Sequence, residues 1–293
     1  MPKGYRKSDL KEYTHSQYGI PQGLAISNIL ASIYLSDFDK TMNNQKGKYF
    51  RYIDDILIIC RAHDRESIQK KMKSEIGGDC FGLKLHDEEK NFSGDSSIGF
   101  EYLGYYFKPD GLVSVSKSSI ERYVEGIASK FTAYSKRRRY TIDRDKLLTK
   151  EERQSILIKE LNLKITGAIS EDRRYGWVFY YSEINDLSVL HRIDRCIDKF
   201  FKRNKDFPEG APKTLKKIVR AFYESKYSPS SGYVHDYKRY KTVQKKRDYL
   251  ISKGQISKKK EYTPKQIEAI FTDCMYRETS ELESDERNIY PFS

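Results

Sequence analysis

The stretch that decides the fold of this chain is Tyr49-Phe50-Arg51-Tyr52-Ile53-Asp54-Asp55-Ile56-Leu57-Ile58-Ile59-Cys60. Two adjacent carboxylates separate two short runs of aromatic and aliphatic residues, a pattern typical of a tight β-hairpin. We therefore predict that Asp54 and Asp55 lie at the tip of a hairpin. Carboxylates held this close repel each other, and a shared cation relieves the repulsion. Because carboxylate oxygens favour hard ions, the pair predicts a Mg²⁺ site, with Mn²⁺ as the alternative ion.

The segments around this stretch predict a mixture of helices and strands. Gly19-Ile20-Pro21-Gln22-Gly23 has the composition of a loop, and apolar residues at helical spacing predict one helix over 26–42. Pro109-Asp110-Gly111 is a turn signal between two predicted strands. The remaining predictions are a helix over 63–76 and strands over 81–86, 98–107 and 112–115. This is an α+β pattern with mainly antiparallel strands.

The pattern becomes helical after Lys117. Breakers at Pro208, Gly210 and Pro212 interrupt it, and we place domain boundaries near Ser116 and Asp206. The predicted domains are therefore 1–115, 116–205 and 206–293. The predicted helices span 118–140, 150–169, 186–203, 214–226, 237–253 and 264–277.

The charge of the chain indicates a polyanionic partner. The 293 residues include 55 lysines and arginines against 42 acidic residues, which gives a net charge of +13. Nucleic acid is the usual partner of so basic a protein, although a merely basic surface is the alternative. Arg173 and Arg174 lie close to aromatic residues at 177, 180 and 181, which could stack on bases. A second basic cluster is Lys136, Arg137, Arg138 and Arg139, and a solvated helix face is the alternative for both.

The cysteines and the hydropathy indicate a cytoplasmic protein. None of the four cysteines forms a CxxC pair or a zinc-like spacing with histidine, so we expect reduced thiols. The first residues lead to no apolar region of the kind found in signal peptides. No apolar run reaches the ~18 residues that a membrane helix needs, so no membrane association is expected.

Four segments of the chain together resemble one family of enzymes. Tyr52-Ile53-Asp54-Asp55 resembles the active-site signature of reverse transcriptases. Residues 19–35, Gly82-Leu83-Lys84-Leu85 followed by Lys90, and 100–107 resemble three further segments of that family, in the family's order. Their joint occurrence favours the resemblance. It is closest to the bacterial retron, group II intron and abortive-infection enzymes.

The resemblance implies a fold and an activity. Residues 1–115 would form part of a polymerase palm, 116–205 a helical thumb, and 206–293 a basic helical extension with an acidic tail. The implied activity is that of an RNA-directed DNA polymerase, which uses two Mg²⁺ ions for nucleotidyl transfer. The implied partners are an RNA template, a DNA or RNA primer and dNTPs, with a non-coding RNA as a further candidate. A role in bacterial anti-phage defence rests on the resemblance alone.

The resemblance also implies roles for single residues. Asp54 and Asp55 would be the catalytic metal ligands, and Lys90 would act on the leaving pyrophosphate. A solvated loop lysine is the alternative for Lys90, and an ordinary aromatic hairpin is the alternative for the primer grip. The residues that border the nucleotide and template would be Pro21, Gln22, Gly23 and Tyr52. The residues that grip the primer would be Phe100, Tyr102, Leu103 and Gly104.

Two parts of the family pattern have no counterpart in the sequence. Members carry a third carboxylate on an earlier strand and fingers that hold the nucleotide, whereas only 18 residues precede Gly19 here. Asp9 is the one faint match to that carboxylate. We expect a fragment of a longer polymerase, a half completed by a partner chain, or a degenerate paralogue. A non-catalytic nucleic-acid-binding subunit and a template-independent nucleotide polymerase are the alternative functions.

Overall fold

A computed structural model describes residues 19, 26–78, 81–85, 91–136 and 148–287. For residues 285–287 it describes the backbone only. The described residues divide into two compact units, one up to Ser93 and one from Gly94. Helices are combined with small, mostly antiparallel sheets, which confirms the predicted α+β class. The predicted domain boundaries near Ser116 and Asp206 stay predictions.

The N-terminal unit packs one antiparallel hairpin on three helices. The predicted hairpin is confirmed, with β1 (Lys48–Tyr52) paired to β2 (Asp55–Ile59). Alternate hairpin residues, among them Tyr49, Ile56 and Ile58, pack against the core, as the twofold period of a strand requires. The helices are α1 (Ser27–Tyr34), α2 (Ser36–Asn43) and α3 (Arg65–Gly77). The core contains Leu35, Phe38, Met42, Ile68 and Ile76.

Two predictions for this unit are wrong. The single helix predicted over 26–42 is two helices, because Leu35 leaves the helical conformation with ψ near 8°. Asp37 and Asp39 lie in the first turn of α2, where the helix dipole favours acidic residues. The strand predicted over 81–86 is absent from the described residues 81–85. Gly82 has a φ of +59°, which interrupts an extended strand.

The C-terminal unit contains a three-stranded antiparallel sheet and a helical core. The predicted turn at Pro109-Asp110-Gly111 joins the second and third strands of the sheet. The strands are β3 (Phe100–Tyr102), β4 (Tyr105–Phe107) and β5 (Val113–Val115). The helices around the buried Trp177 are α4 (Lys117–Lys136), α5 (Lys150–Thr166), α6 (Trp177–Tyr180), α7 (Ser188–Arg203) and α8 (Ile218–Tyr227).

A second core in this unit lies between a small sheet and two helices. The strands β6 (Ala168–Ser170), β7 (Arg173–Tyr175) and β8 (His235–Asp236) were not predicted; β6 pairs antiparallel with β7 and parallel with β8. The helices are α9 (Val243–Ser252) and α10 (Pro264–Arg287). Helix α10 continues past the predicted end at 277, so most of the predicted acidic tail is helical.

None of the described helices is long and apolar enough to cross a membrane. The cysteines within the described ranges, Cys60, Cys196 and Cys274, are free.

A buried polar network crosses the second core. Glu278 Oε1 lies 2.6 Å from Lys253 Nζ, and Glu278 Oε2 accepts hydrogen bonds from Tyr237 Oη at 2.7 Å and Tyr249 Oη at 2.5 Å. Burial acts to raise the pKa of Glu278, but the Lys253 ammonium and these donors outweigh it, so the pKa lies below its usual range. Glu278 is therefore a buried carboxylate that stays charged.

His235 beside this network is expected to make the fold sensitive to acid. Its Nε2 is buried without a hydrogen-bond partner among the described residues. The pKa of His235 is lowered to about 4, chiefly by burial and also by Lys253 and Lys216, whereas Glu278 and Asp236 oppose the shift. The unfolded chain therefore binds a proton between pH 6.5 and pH 4 that the folded chain does not. The free energy of unfolding should therefore fall as the pH drops through this window, by about 2 kcal/mol between pH 7 and pH 5.

Urea unfolding of the wild type and His235→Gln at pH 7 and pH 5 measures this contribution. The variant is expected to lose about 2 kcal/mol less than the wild type between the two pH values. His191→Gln on the exposed side of α7 is the matched control for the substitution itself, because it removes no buried group. Equal pH dependence in wild type and His235→Gln would contradict the assignment.

Candidate active site

The tip of the acidic hairpin is a strained two-residue loop. Tyr52 pairs with Asp55, so Ile53 and Asp54 alone connect the strands. Ile53 has a φ of 57°, a conformation that hairpin loops usually assign to glycine, asparagine or aspartate. A β-branched residue held there costs on the order of 1–3 kcal/mol and persists only where neighbouring contacts fix it. Asp54 is exposed in this loop, and Asp55 is half-buried at the start of β2.

One arginine supplies the contacts that fix the loop. Arg51 donates to both carboxylate oxygens of Asp39, from Nε at 2.7 Å and from Nη2 at 2.5 Å. Its Nη1 donates to the carbonyl oxygen of Ile53 at 2.6 Å. Tyr49 Oη adds a third donor to Asp39 at 2.7 Å. The side chain of Arg51 is 8% exposed, so α2 and the strained loop are joined through a nearly buried cation.

We call Asp39, Arg51 and Tyr49 the clamp. Its members favour one another's ionisation states. The hydrogen bonds from Arg51 hold the pKa of Asp39 below its usual range, against the effect of burial. Burial, followed by the hydrogen bond to Asp39, raises the pKa of Tyr49, so Tyr49 remains a neutral donor. None of the three was identified from the sequence as part of the site. Arg51 lies on the core-facing side of the hairpin, which is otherwise apolar. That position was the one sequence signal that could have identified the clamp.

Replacing Arg51 with methionine is expected to lower the free energy of unfolding by about 2 kcal/mol, because charged hydrogen bonds are lost and Asp39 keeps an uncompensated charge. Urea unfolding measures the loss. Lys40→Met is the matched control, since Lys40 pairs with Asp37 on an exposed surface and should contribute almost nothing. The Asp39→Asn/Arg51→Met double variant should lose less than the sum of the single variants. A loss in Arg51→Met no larger than in Lys40→Met would contradict a stabilising clamp.

The acidic pair has the donor atoms that Mg²⁺ prefers. Mg²⁺ commonly binds one or two protein carboxylates and completes its shell with water and substrate phosphates, so Asp54 and Asp55 fit the protein share of such a site. Asp39 is not a free third ligand, since both its oxygens accept from Arg51. Within the described ranges, no three histidine, cysteine or acidic residues cluster as a metal site. Asp9 lies outside those ranges.

The residues predicted to border the nucleotide are only partly described. Tyr52 is exposed and lies directly opposite Asp55, so both side chains lie on the same face of the hairpin. Phe50 is exposed on that face as well, so an aromatic surface adjoins Asp55 on the side away from the core. The residues that lie outside the described ranges are Pro21, Gln22, Gly23 and Lys90.

The predicted primer grip forms a second hairpin, in the C-terminal unit. Its two loop residues, Leu103 and Gly104, both have positive φ, 53° and 75°, as a type I′ turn requires. Tyr180 Oη donates to the Leu103 carbonyl oxygen at 3.1 Å. Phe100 stacks on Phe107 with ring centroids 5.0 Å apart, and Tyr102 is half-buried. The hairpin is thus packed within its own unit, and its contact with a primer stays a prediction.

The predicted basic clusters keep their charge at the surface but lose most of their aromatic partners. Arg173 and Arg174 are exposed on β7. Trp177 and Tyr181 are each 1% exposed, so the prediction that these rings stack on bases is wrong. Their apolar surface is used in the helical core instead. Lys136 is exposed at the end of α4, whereas Arg137, Arg138 and Arg139 lie outside the described ranges.

Helix α7 carries a basic face that the sequence analysis did not identify. Arg195, Lys199 and Lys202 are exposed, and none has an ion-pair partner in the part of the chain that the structure describes. Together with His191 they follow the spacing i, i+4, i+8, i+11, which places them on one side of a helix. The opposite side is buried in the core. We call His191, Arg195, Lys199 and Lys202 the α7 stripe; helical periodicity could have revealed it.

One comparison with known proteins gives a match. Residues 5–107 are similar to the family described as reverse transcriptase (RNA-dependent DNA polymerase). The similar region contains the acidic hairpin as well as the hairpin at Phe100–Phe107. Searches of curated proteins and of solved structures found no match. The similarity supports a function of the reverse-transcriptase or nucleotidyltransferase type.

Proposed function

We propose that the chain carries the palm and thumb of an RNA-directed DNA polymerase. The observation that carries the proposal is the strained turn at Tyr52-Ile53-Asp54-Asp55, where Asp54 lies in the two-residue loop and Asp55 begins β2. A strained loop with an exposed carboxylate contributes nothing evident to stability and is a common feature of functional sites. The family similarity over residues 5–107 agrees with this chemistry.

In the proposed mechanism Asp54 and Asp55 would hold Mg²⁺. When bound, Mg²⁺ supplies positive charge that offsets the carboxylates and the charge that develops on the transferred phosphoryl group. The exposed Asp54 is open to substrate, and Tyr52 and Phe50 offer a ring surface to the nucleotide beside Asp55. Arg51 holds the loop backbone through the Ile53 carbonyl, so the carboxylates keep their place. Gln22 and Gly23 would border the template, and Lys90 would neutralise the leaving pyrophosphate.

The basic surfaces of the C-terminal unit would bind the template–primer duplex. Arg173 and Arg174 contact phosphates in this proposal, and Phe100–Gly104 holds the primer end. Phosphate contacts make affinity fall steeply with salt, so binding should weaken strongly between low and moderate ionic strength. Bacterial defence is the proposed setting.

Primer extension tests the proposal directly. The purified chain is supplied with Mg²⁺, a primed RNA template and dNTPs, beside reactions with NTPs and reactions without template. Extension that copies the RNA sequence supports the polymerase. Products that form without template indicate a template-independent polymerase. Binding of primer–template without extension indicates a non-catalytic subunit, or a half that needs a partner chain.

A further inference from the structure

A groove in the C-terminal unit lies between α7 and α8. It has a volume of about 620 Å³ and is open along one side. Tyr223 and Tyr227 line it, with 44% and 70% of their surface exposed. Their rings are 6.3 Å apart with an interplanar angle of 25°, so they stack in sequence along α8. Neither hydroxyl has a hydrogen-bond partner within the described ranges.

The groove is held in shape without these two tyrosines. The Asp194 carboxylate accepts from the backbone nitrogen of Ile218 at 2.9 Å and caps the start of α8. Lys217 pairs with Asp198 at 2.8 Å. Arg220 pairs with Glu224 at 3.1 Å, and its guanidinium carbon lies 4.4 Å from the Tyr233 ring centroid. The Asp194–Ile218 and Asp198–Lys217 contacts join α7 to the start of α8, and neither involves the exposed rings of Tyr223 and Tyr227.

Exposed aromatic rings beside cations suit one kind of ligand. Stacking on aromatic side chains next to a positively charged track is how proteins bind unpaired nucleotides. His191 lines the groove and is the first residue of the α7 stripe, so phosphates could follow α7 while bases reach α8. Asp198 and Glu224 are paired with Lys217 and Arg220, so their charges are offset, whereas Asp194 accepts from backbone nitrogens and is not paired with a cation in the described residues.

We propose that Tyr223 and Tyr227 form a stacking platform for single-stranded nucleic acid, with the α7 stripe contacting its phosphates. The site consists wholly of residues from the C-terminal unit and does not depend on nucleotidyl transfer. Stacking requires a base face and no particular sugar, so RNA and DNA are expected to bind with similar affinity.

Fluorescence anisotropy with short labelled oligouridylate and oligothymidylate tests the platform. Tyr223→Ala/Tyr227→Ala is expected to weaken binding of both oligonucleotides by about tenfold or more. Tyr223→Phe/Tyr227→Phe keeps the rings and should bind within about twofold of the wild type. Tyr276 on α10 is 73% exposed and outside the groove, so Tyr276→Ala is the matched control and should bind as the wild type does.

Two further measurements separate stacking from other roles. Arg195→Ala/Lys199→Ala should lower the slope of log affinity against log salt by about 1 for each lost phosphate contact, whereas the tyrosine variants should leave the slope unchanged. Oligonucleotide binding is measured without dNTPs, so a failure of the polymerase proposal would not affect this result. Circular dichroism should give the same melting curve for the alanine and phenylalanine variants.

Several outcomes would overturn the platform. Unchanged binding in Tyr223→Ala/Tyr227→Ala would do so, as would an equal loss in the phenylalanine variant. An equally large loss for blunt duplex would mean that the rings do not recognise unpaired bases. A wild-type chain that binds neither oligonucleotide at low salt would leave a protein partner as the occupant.

Discussion

Primer extension should fall by at least about a thousandfold when Asp54 is replaced with asparagine, while the fold stays intact. The carboxylate is exposed in a two-residue loop and has no hydrogen-bond or ion-pair partner in the described structure. Its removal should therefore change the free energy of unfolding by no more than about 0.5 kcal/mol. The amide keeps the shape but lacks the charge that a Mg²⁺ ligand needs. Activity and stability thus separate at this residue.

Single-turnover extension of a labelled primer measures the loss, and anisotropy on the same template–primer shows that binding persists. Asp55→Asn should lose as much activity, since both carboxylates are ligands of the proposed Mg²⁺. Asp37 on α2 is a matched control because it is exposed and pairs only with Lys40, so Asp37→Asn should retain full activity. More than about a tenth of wild-type extension in Asp54→Asn would place the chemistry elsewhere in the chain.

The sequence predicted the acidic hairpin because its determinants are local. Two β-prone runs flank the carboxylates, and the strands pair in the register that this pattern requires. The support of the hairpin could not be predicted in the same way. Arg51 contacts Asp39, twelve positions earlier on another element, and the strain at Ile53 becomes evident only from its backbone angle. Local patterns thus located the carboxylates but did not reveal what holds them.

The C-terminal unit shows the same limit at longer range. Helices with a regular apolar period, such as α7, were predicted almost to their ends. Strands β6 and β8 are three and two residues long and pair across more than sixty positions, so no local signal marks them. Helical periodicity could have predicted the basic face of α7, but that face was not identified from the sequence. Tyr223 and Tyr227 could be assigned to the surface only once the neighbours of α8 were known.

The largest loss of stability is expected at Glu278, in the second core. The Lys253 and Glu278 side chains are only 5% and 9% exposed, and Glu278 also accepts from two buried tyrosine hydroxyls. Glu278→Gln preserves the shape and an acceptor oxygen, but it leaves the Lys253 ammonium buried without its counter-charge. Breaking a buried pair in this way costs about 3–5 kcal/mol. Urea unfolding at pH 7 measures the loss.

A matched set of variants distinguishes charge from packing. Lys253→Met removes the cation, so Glu278→Gln/Lys253→Met should recover most of the stability lost in Glu278→Gln. If the double variant stays as unstable as the single one, the loss reflects packing and the ion pair has no special role.

The pH dependence gives an independent test of the same ion pair. The folded pKa of Glu278 lies below its unfolded value, so the stabilisation is present above about pH 4.5 and is lost as the pH falls through the folded pKa. The deficit of Glu278→Gln should therefore shrink in acid, where the wild-type carboxylate is also protonated. A deficit that stays constant on acidification would show that the charge of Glu278 does not stabilise this core.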